Sequence, residues 1–437
     1  MPENRSKPDG KTIELAFVVY PSSNPNPGPP IFYLAGGPGG PGIGTCETWA
    51  SGPDFRLLDH ADVVALDQRG TGLSRPNLSE MPDFGYRLPL DRVVTRDDVI
   101  AAEKRATARM VEHFRRLGVD LDAYNSEQSA DDVDAVREAL GVDKIVVYGS
   151  SYGSHLGLAY LRRHSEHVAR AVLSRVEGPN HTWKLPSQIQ AQMVELHERI
   201  AADPALSEAM PDFLGTVRGL LARLEKEPVT VTLDEGGGDP IEVVCGPYDL
   251  QRGLTMLLAN REGLAQAPMA IHPYTKGDWT TLAKVALRAR QGRPFSAMAV
   301  MMDCASGATA KRRARIEQER NDPANLLGDA MDGYYIEVCE ACGDPDLGDD
   351  FRGPLRCEAP VLFISGELDA RTPPSNVDEI RRGFLNSTHL LVEDCGHLSF
   401  EFRNPDFCRI LGRFLEGEEI EDGRIAMPPI RFHPIRD

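Results

Sequence analysis

The chain has 437 residues, 41% hydrophobic and 26% charged, enough to bury a large core in two or three domains or in one α/β domain with an insertion. Its 48 Lys and Arg against 66 Asp and Glu give a net charge of −18, which argues against nucleic acid and against an anionic membrane surface as partners. No apolar run approaches the roughly 18 residues of a membrane span, and the first residues lack the apolar segment of a signal peptide. We expect a cytoplasmic protein as the sequence is given, or a secreted one if an upstream signal segment was removed. The sequence leaves the oligomeric state open.

The chain opens with two predicted strands and a glycine-rich loop. Residues 12–20 have a strand pattern, and the short apolar strand 31–35 leads into Gly-Gly-Pro-Gly-Gly-Pro-Gly at 36–42. Glycine at this density lets backbone N–H groups approach a ligand closely. No Gly-Lys-Ser or Gly-Lys-Thr follows, which disfavours a phosphate site, and a flexible surface loop is the structural alternative. We expect Gly37, with Gly36 beside it, to supply one N–H group of an oxyanion hole.

A third predicted strand at 62–66 ends in Asp-Gln-Arg-Gly-Thr-Gly-Leu-Ser at 67–74. We expect Asp67 and Arg69 to pair across this turn in a structural role that holds the neighbouring loop in place. Two helices are predicted next, at 96–117 and at 126–140. The second begins at Ser126, a typical N-cap residue, and ends at Gly141.

The stretch around Ser151 predicts a strand, a sharp turn and a helix. Apolar β-branched residues from Ile145 lead into Gly-Ser-Ser-Tyr-Gly at 149–153, and helical spacing follows. This is the G-x-S-x-G pattern of a nucleophile elbow, whose strained turn leaves no room for side chains beside the serine. A chance match in a glycine-rich protein is the alternative. We expect Ser151 to be an exposed nucleophile, with the Tyr152 N–H as the second oxyanion donor.

Strands that alternate with helices predict an α/β fold with a mostly parallel sheet flanked by helices. After a strand at 168–173 the alternation stops near Gly178, and helical patterns prevail to about Gly353, interrupted by a β-hairpin at 229–233 and 241–244. We therefore predict a core built from residues 1–177 and 354–437, with a mainly helical cap at 178–353 inserted after the sixth strand. An independent interaction domain is the alternative for this insertion.

Two polar residues follow predicted strands after the insertion. Asp369 comes after the strand 359–365, and His397 after the strand 388–392. Since the carboxyl ends of parallel strands meet at one edge of a sheet, we expect both side chains to reach Ser151. The chain order Ser, Asp, His is that of the triad in α/β-hydrolases.

Each of the two downstream residues has a competitor. His155 is four residues from Ser151, but on the helix after the elbow its side chain would point along the helix. Asp394 competes with Asp369, although its place beside the histidine loop makes the contact with His397 geometrically awkward.

The eight cysteines permit disulfides without requiring them. Cys339 and Cys342 have metal or redox spacing, but a second such pair or a nearby His-x-x-x-His is missing, so we expect no metal site. The alternatives are a bridge between Cys304 and one of this pair, or buried free thiols.

Together these motifs resemble the proline iminopeptidase and tripeptidyl-aminopeptidase-like branch of the α/β-hydrolases, the S33 peptidases. The resemblance rests on the loop at 36–39, the segment 67–74, the elbow, Gly-Glu-Leu-Asp at 366–369 and Gly-His at 396–397. It covers roughly residues 10–175 and 355–415 and extends only weakly to the predicted cap. Ala35 stands where iminopeptidases usually have a histidine before the loop.

The resemblance implies a serine hydrolase without a cofactor, in which Ser151 is the nucleophile, His397 the base and Asp369 the residue that orients it. Its substrates would be short peptides or aminoacyl amides, with small esters or lactones as the alternative. Peptidases of this branch bind the free amine through cap carboxylates, for which Glu177 is the candidate; a salt bridge with Arg175 is the ordinary alternative. A non-catalytic hydrolase-like binding protein is a third hypothesis, disfavoured because the Ser, Asp and His set is intact.

Overall fold

The computed structural model describes residues 1–50, 56–80, 82–234, 239–331, 333–397 and 404–435. Within these ranges the strands are β1 (Phe17–Tyr20), β2 (Ile31–Leu34), β3 (Val63–Leu66), β4 (Tyr86–Arg87), β5 (Ile145–Ser150), β6 (Val168–Ser174), β7 (Val229–Leu233), β8 (Ile241–Cys245), β9 (Gln291–Gly292), β10 (Val361–Gly366), β11 (Ser387–Val392) and β12 (Gly423–Ile425). The α-helices are α1 (Gly42–Ala50), α2 (Arg96–Arg116), α3 (Ser126–Ala139), α4 (Tyr152–Arg163), α5 (Pro186–Ala202), α6 (Phe213–Lys226), α7 (Pro247–Leu257), α8 (Arg261–Thr275), α9 (Thr280–Ala289), α10 (Ala297–Ser306), α11 (Ala310–Arg320), α12 (Gly348–Arg352), α13 (Ser375–Ile380) and α14 (Pro405–Leu415).

Eight of these strands form one sheet in the order β1-β3-β2-β5-β6-β10-β11-β12. β1 pairs antiparallel with β3, and every other neighbouring pair is parallel. The inner strands β2, β3, β5 and β10 are buried along their whole length, as expected for a parallel sheet that is covered on both faces. The predicted α/β fold with a mostly parallel sheet is confirmed.

Different helices cover the two faces of the sheet. On one face, side chains of β2 and β5 share a core with Met110 of α2, Val133 of α3 and Leu156 of α4. On the other face, alternate side chains of the same strands pack with Cys46 of α1 and Phe407 of α14. Successive side chains of each strand point to opposite faces of the sheet, so each apolar strand contributes to both cores.

Between β6 and β10 the chain leaves the sheet for the helices α5 to α12 and the antiparallel hairpin β7–β8. This is the mainly helical insertion that the sequence predicts after the sixth strand. Helices α5 to α9 and the hairpin pack in a separate apolar core, to which Leu368, Ala370 and Ile430 of the C-terminal part also belong. Met298 and Met302 of α10 belong instead to the core that includes α2, α3 and α4. The division into residues 1–177, 178–353 and 354–437 stays a prediction. None of the helices in the described ranges is long and apolar enough to cross a membrane.

The predicted pairing of Asp67 with Arg69 is wrong. Arg69 is fully buried, and its Nε and Nη2 each lie 2.7 Å from a carboxylate oxygen of Asp132 on α3. Asp67 instead accepts hydrogen bonds from the backbone N–H groups of Ile43 at 3.0 Å and Leu73 at 2.7 Å. The turn after β3 is thus fixed to α1 and α3. Through Ile43, Asp67 holds the end of the glycine-rich loop.

Candidate active site

The turn after β5 has no space for a side chain at Gly149 or Gly153, which lie two residues before and two residues after Ser151. A Cβ atom added to Gly153 would lie 1.9 Å from the carbonyl oxygen of Leu34, and one added to Gly149 would lie 2.2 Å from the carbonyl oxygen of Gly153. Ser151 itself has a φ of 56° and a ψ of −127° immediately before α4, a backbone conformation that residues other than glycine rarely adopt. The elbow geometry is present, and Ser151 lies at the N-terminus of α4.

The imidazole of His397 lies between Ser151 and Asp369. Its Nε2 is 3.0 Å from Ser151 Oγ, and its Nδ1 is 2.9 Å from Asp369 Oδ2. The three residues follow β5, β11 and β10, whose carboxyl ends lie at the same edge of the sheet. The structure thus brings the three residues together in an arrangement in which an imidazole can take the proton of a serine hydroxyl.

The carboxylate of Asp369 is completely buried and held by the turn that follows it. Oδ1 accepts the backbone N–H groups of Arg371 at 2.8 Å and Thr372 at 2.9 Å, and Oδ2 accepts the Thr372 hydroxyl at 2.6 Å. Burial alone would raise the pKa of Asp369, but the neighbouring His397 and the hydrogen bonds from His397 and Thr372 outweigh it and hold that pKa well below its usual range. Asp369 therefore remains ionised and fixes a proton on the Nδ1 side of His397.

The glycine-rich loop after β2 lies against the elbow. A Cβ atom added to Gly36 would lie 3.1 Å from Ser151 Cβ, and Gly37, with a φ of 128°, lines the same cavity as Ser151. Tyr152 is the first residue of α4, so its N–H group has no acceptor within the helix. All three residues predicted for the oxyanion hole are therefore neighbours of Ser151.

A cavity of about 90 Å³ opens beside Ser151. Its wall includes the acidic residues Glu177, which directly precedes the insertion, and Asp303 of α10, together with Lys184. Oε2 of Glu177 lies 2.7 Å from Lys184 Nζ, so the observed ion-pair partner differs from Arg175, which the sequence suggested. Burial would raise the pKa of Glu177, but the charge and hydrogen bond of Lys184 together with the nearby His155 and His181 outweigh it and lower that pKa, which leaves an ionised carboxylate in the cavity wall.

Arg175 supports the histidine loop. It has a φ of 53°, and its Nε donates a hydrogen bond to the backbone carbonyl oxygen of His397 while its Nη1 lies 2.9 Å from Ser150 Oγ. The side chain therefore ties the loop of His397 to the residue that precedes the nucleophile. No motif in the sequence indicated this contact.

Both competitors for the triad have other partners. His155 Nε2 lies 2.9 Å from Ser306 Oγ, and its Nδ1 lies 3.2 Å from the carbonyl oxygen of Gly178. Asp394 accepts a 2.8 Å hydrogen bond from Arg199 Nε. Both side chains therefore bond to residues of the insertion and not to Ser151 or His397.

Cys304 on α10 forms a disulfide with Cys339, which is one of the alternatives left open by the sequence, and Cys342 is a buried free thiol. Across the ranges that the structure describes, His, Cys, Asp and Glu side chains form no group of three or more that could hold a metal ion.

Two family models match the chain. The one described as alpha/beta hydrolase fold matches residues 29–222, and the one described as TAP-like protein matches residues 337–422. Similar curated proteins are the serine protease Hip1 of Mycobacterium tuberculosis, 28% identical over 191 residues, and the tripeptidyl aminopeptidase of Streptomyces lividans, 29% identical over 194 residues; each alignment covers 41% of this chain and 35% of the relative. The proline iminopeptidase of Neisseria meningitidis is 31% identical over 160 residues, which covers 37% of this chain and 36% of the relative.

The chain thus spans only 35% or 36% of the length of these relatives. The matched regions include the glycine-rich loop, the elbow and the segments that carry Asp369 and His397. Together with the sheet topology, they show an α/β-hydrolase fold, in a chain that is similar to tripeptidyl aminopeptidases and proline iminopeptidases over the matched regions.

Proposed function

We propose that the protein is a serine hydrolase of the aminopeptidase type, which releases N-terminal residues from short peptides or aminoacyl amides. The observation that carries this proposal is the hydrogen-bonded series from Ser151 through His397 to Asp369, at the edge of a cavity with acidic side chains. The similarity to two aminopeptidases supports the substrate class.

The reaction would proceed through an acyl-enzyme. Ser151 Oγ attacks the substrate carbonyl carbon while His397 Nε2 takes the hydroxyl proton, and Asp369 stabilises the imidazolium that forms. The N–H groups of Gly37 and Tyr152 donate hydrogen bonds to the oxyanion. His397 then gives its proton to the leaving amine, and a water molecule deprotonated by the same imidazole releases the acyl group from Ser151. These steps use protein groups and water alone.

The carboxylates in the cavity wall suit a substrate ammonium group, because charge-assisted hydrogen bonds are stronger than neutral ones. Glu177 is one candidate, and Asp303 of α10 is a second that the sequence did not reveal. Oδ2 of Asp303 accepts a 2.7 Å hydrogen bond from the Tyr334 hydroxyl, which fixes the orientation of the carboxylate. A free α-amine bound here would place the first peptide bonds of the substrate near Ser151.

A carboxylesterase acting on small esters or lactones is the second candidate function. The observation that favours it is the 2.7 Å ion pair between Lys184 and Glu177, which neutralises one of the two carboxylates that an aminopeptidase would use. An ester substrate needs the nucleophile and the oxyanion donors but no ammonium site.

Two measurements test these assignments. A fluorophosphonate probe is expected to label the wild-type protein and the Ser79→Ala control, which lacks one exposed serine, but not the folded Ser151→Ala variant; equal labelling of all three would exclude Ser151 as the nucleophile. The second measurement compares hydrolysis of an aminoacyl naphthylamide, its N-acetylated form and a p-nitrophenyl ester. An aminopeptidase cleaves the free-amine amide much faster than the acetylated one, and activity on the ester alone would reject the peptidase in favour of the esterase.

A further inference from the structure

A second cavity adjoins the one beside Ser151. It has a volume of about 480 Å³ and shares four wall residues with the smaller cavity: Phe295, Met331, Gly333 and Arg371. The rest of its wall comes mainly from α2, β4, α7 and the segment around β9. The two cavities are therefore neighbours, and these four residues lie where they meet.

The wall of the larger cavity is rich in positive charge. Glu103 is its one acidic residue among those the structure describes, against five arginines: Arg252, Arg288, Arg290, Arg293 and Arg371. Arg290 is buried and lies 2.9 Å from Asp249, and Arg293 lies 3.8 Å from Asp83, so these two are already paired.

Arg288 and Arg371 differ from the paired arginines. Both side chains are exposed, and within the described part of the chain neither guanidinium has an acidic partner. In a protein with a net charge of −18, two arginines that line one cavity and have no acidic partner among the described residues are a local concentration of positive charge. A guanidinium presents a planar set of donors that matches a carboxylate.

The cavity also contains a buried polar atom without a partner. Glu103 is 7% exposed; its Oε1 accepts a 3.1 Å hydrogen bond from the Tyr86 hydroxyl, while its Oε2 has no hydrogen-bond partner among the described residues. Buried polar atoms are nearly always satisfied in native proteins, so a bound ligand is a natural partner for this one. Burial raises the pKa of Glu103 to about 7, which allows the neutral acid to donate a hydrogen bond near neutral pH.

We propose that the larger cavity binds a carboxylate on the leaving part of a short peptide, with Arg288 and Arg371 as its charged partners. The proposal rests on the proposed peptidase function and adds a substrate class, short peptides with a negative charge beyond the scissile bond. The smaller cavity carries the carboxylates Glu177 and Asp303, Arg288 lines the larger cavity, and Arg371 lies where the two meet. The ammonium and the carboxylate of a short peptide would therefore each meet the opposite charge.

The test measures binding separately from catalysis, in Ser151→Ala protein by titration calorimetry. Three peptides are compared: tetra-alanine with a free C-terminal carboxylate, its C-terminal amide, and the amide of Ala-Ala-Ala-Glu. We expect a carboxylate to tighten binding about tenfold over the tetra-alanine amide, the effect of one charge-assisted hydrogen bond. The Glu peptide shows whether a side-chain carboxylate serves as well as the C-terminal one. Equal dissociation constants for all three peptides would overturn the proposal.

Substitutions identify the residues responsible. The Arg288→Gln, Arg371→Gln double variant is expected to lower the ratio of acid to amide affinity to about one, and Arg288→Gln alone to lower it in part. Arg218→Gln removes an exposed arginine of α6 outside both cavities and should keep the ratio. An unchanged ratio in the folded double variant would exclude the two arginines as the carboxylate site.

Turnover by the wild-type protein separates this proposal from the proposed function. Equal cleavage of free-acid and amide peptides would refute the carboxylate site and leave the peptidase intact. Activity on esters alone, with tighter binding of the free acid retained, would refute the peptidase function and leave the anion site.

Discussion

The hydroxyl of Thr372 donates a 2.6 Å hydrogen bond to Oδ2 of Asp369, the same oxygen that lies 2.9 Å from His397 Nδ1. Thr372 Oγ1 is also 3.1 Å from that Nδ1. The carboxylate is therefore oriented by a residue three positions later in its own turn. This makes Thr372 a positioning residue that acts on His397 through Asp369.

Thr372→Val is expected to lower kcat about 10- to 100-fold. The change removes one hydrogen bond to a charged group, which is worth about 1.5–3 kcal/mol, while the shape of the side chain is kept. Thr372→Ser retains the hydroxyl and should recover most of the activity. The measurement is kcat on an ester substrate for the wild type and both variants. Equal losses in both variants would indicate a packing role for Thr372.

Asp369→Asn tests the orienting carboxylate itself. The amide keeps the size of the side chain but cannot hold the required tautomer of His397, and such a change in a Ser-His-Asp triad lowers kcat by about 10⁴-fold. Asp394→Asn is the matched control, because Asp394 contacts Arg199 and lies outside the triad. Comparable losses in kcat for the two variants would contradict the assignment of Asp369.

The close packing around the elbow glycines leads us to a prediction about stability. Gly153→Ala should destabilise the protein by more than about 3 kcal/mol or prevent folding, because the new Cβ would lie 1.9 Å from the Leu34 carbonyl oxygen. Gly219→Ala is the matched control within α6, where an added Cβ has no atom within 4 Å. That control should raise stability by up to about 1 kcal/mol, the difference between the helix propensities of Ala and Gly. Unfolding in denaturant measures both, and similar free energies for the two variants would argue against a strained elbow.

The location of Ser151, Asp369 and His397 could be predicted because each follows a strand that local apolar patterns reveal. Once the strands are parallel, their carboxyl ends share one edge, and three residues far apart in the chain are placed together without knowledge of any tertiary contact. The same reasoning applies to Gly36 and Gly37 after β2.

Contacts between side chains of distant elements could not be predicted in this way. Local spacing alone predicts that Arg69 pairs with Asp67 in the same turn. Arg69 instead pairs with Asp132, 63 positions later, because α3 packs over that turn. Asp303 was missed for another reason. The helix α10 that carries it is apolar on nearly all sides, so it has no amphipathic period by which to recognise it.

Strand length was overestimated at the N-terminus. The pattern predicts a strand from residue 12, but β1 covers only Phe17–Tyr20. Glu14 forms an isolated bridge with Arg75 beyond the end of β3, so the chain has a different neighbour there. Alternation in the sequence does not show where a neighbouring strand ends.

Glu103 makes the stability of the protein depend on pH in an unusual direction. Its folded pKa of about 7 lies above its ordinary value of 4.5, chiefly because of burial and despite the opposing charge of Arg252 and the hydrogen bond from Tyr86. Between these values the folded protein holds a proton that the unfolded chain has released. The stabilisation that Glu103 gives to the folded protein is therefore fully present below about pH 4.5 and is lost as the pH rises through 7.

Glu103→Gln keeps an acceptor for the Tyr86 hydroxyl but cannot ionise. The difference in free energy of unfolding, variant minus wild type, is expected to grow by about 1–3 kcal/mol between pH 5 and pH 8. The reason is that only the wild type must bury a charge at the higher pH. Denaturant unfolding at four pH values across this range measures the difference, and Glu208→Gln, a substitution of an exposed glutamate, provides the control. A difference that is constant with pH would show that Glu103 does not titrate in this range. A difference that decreases with pH would show that Arg252 outweighs burial and that the folded carboxylate is the favoured form.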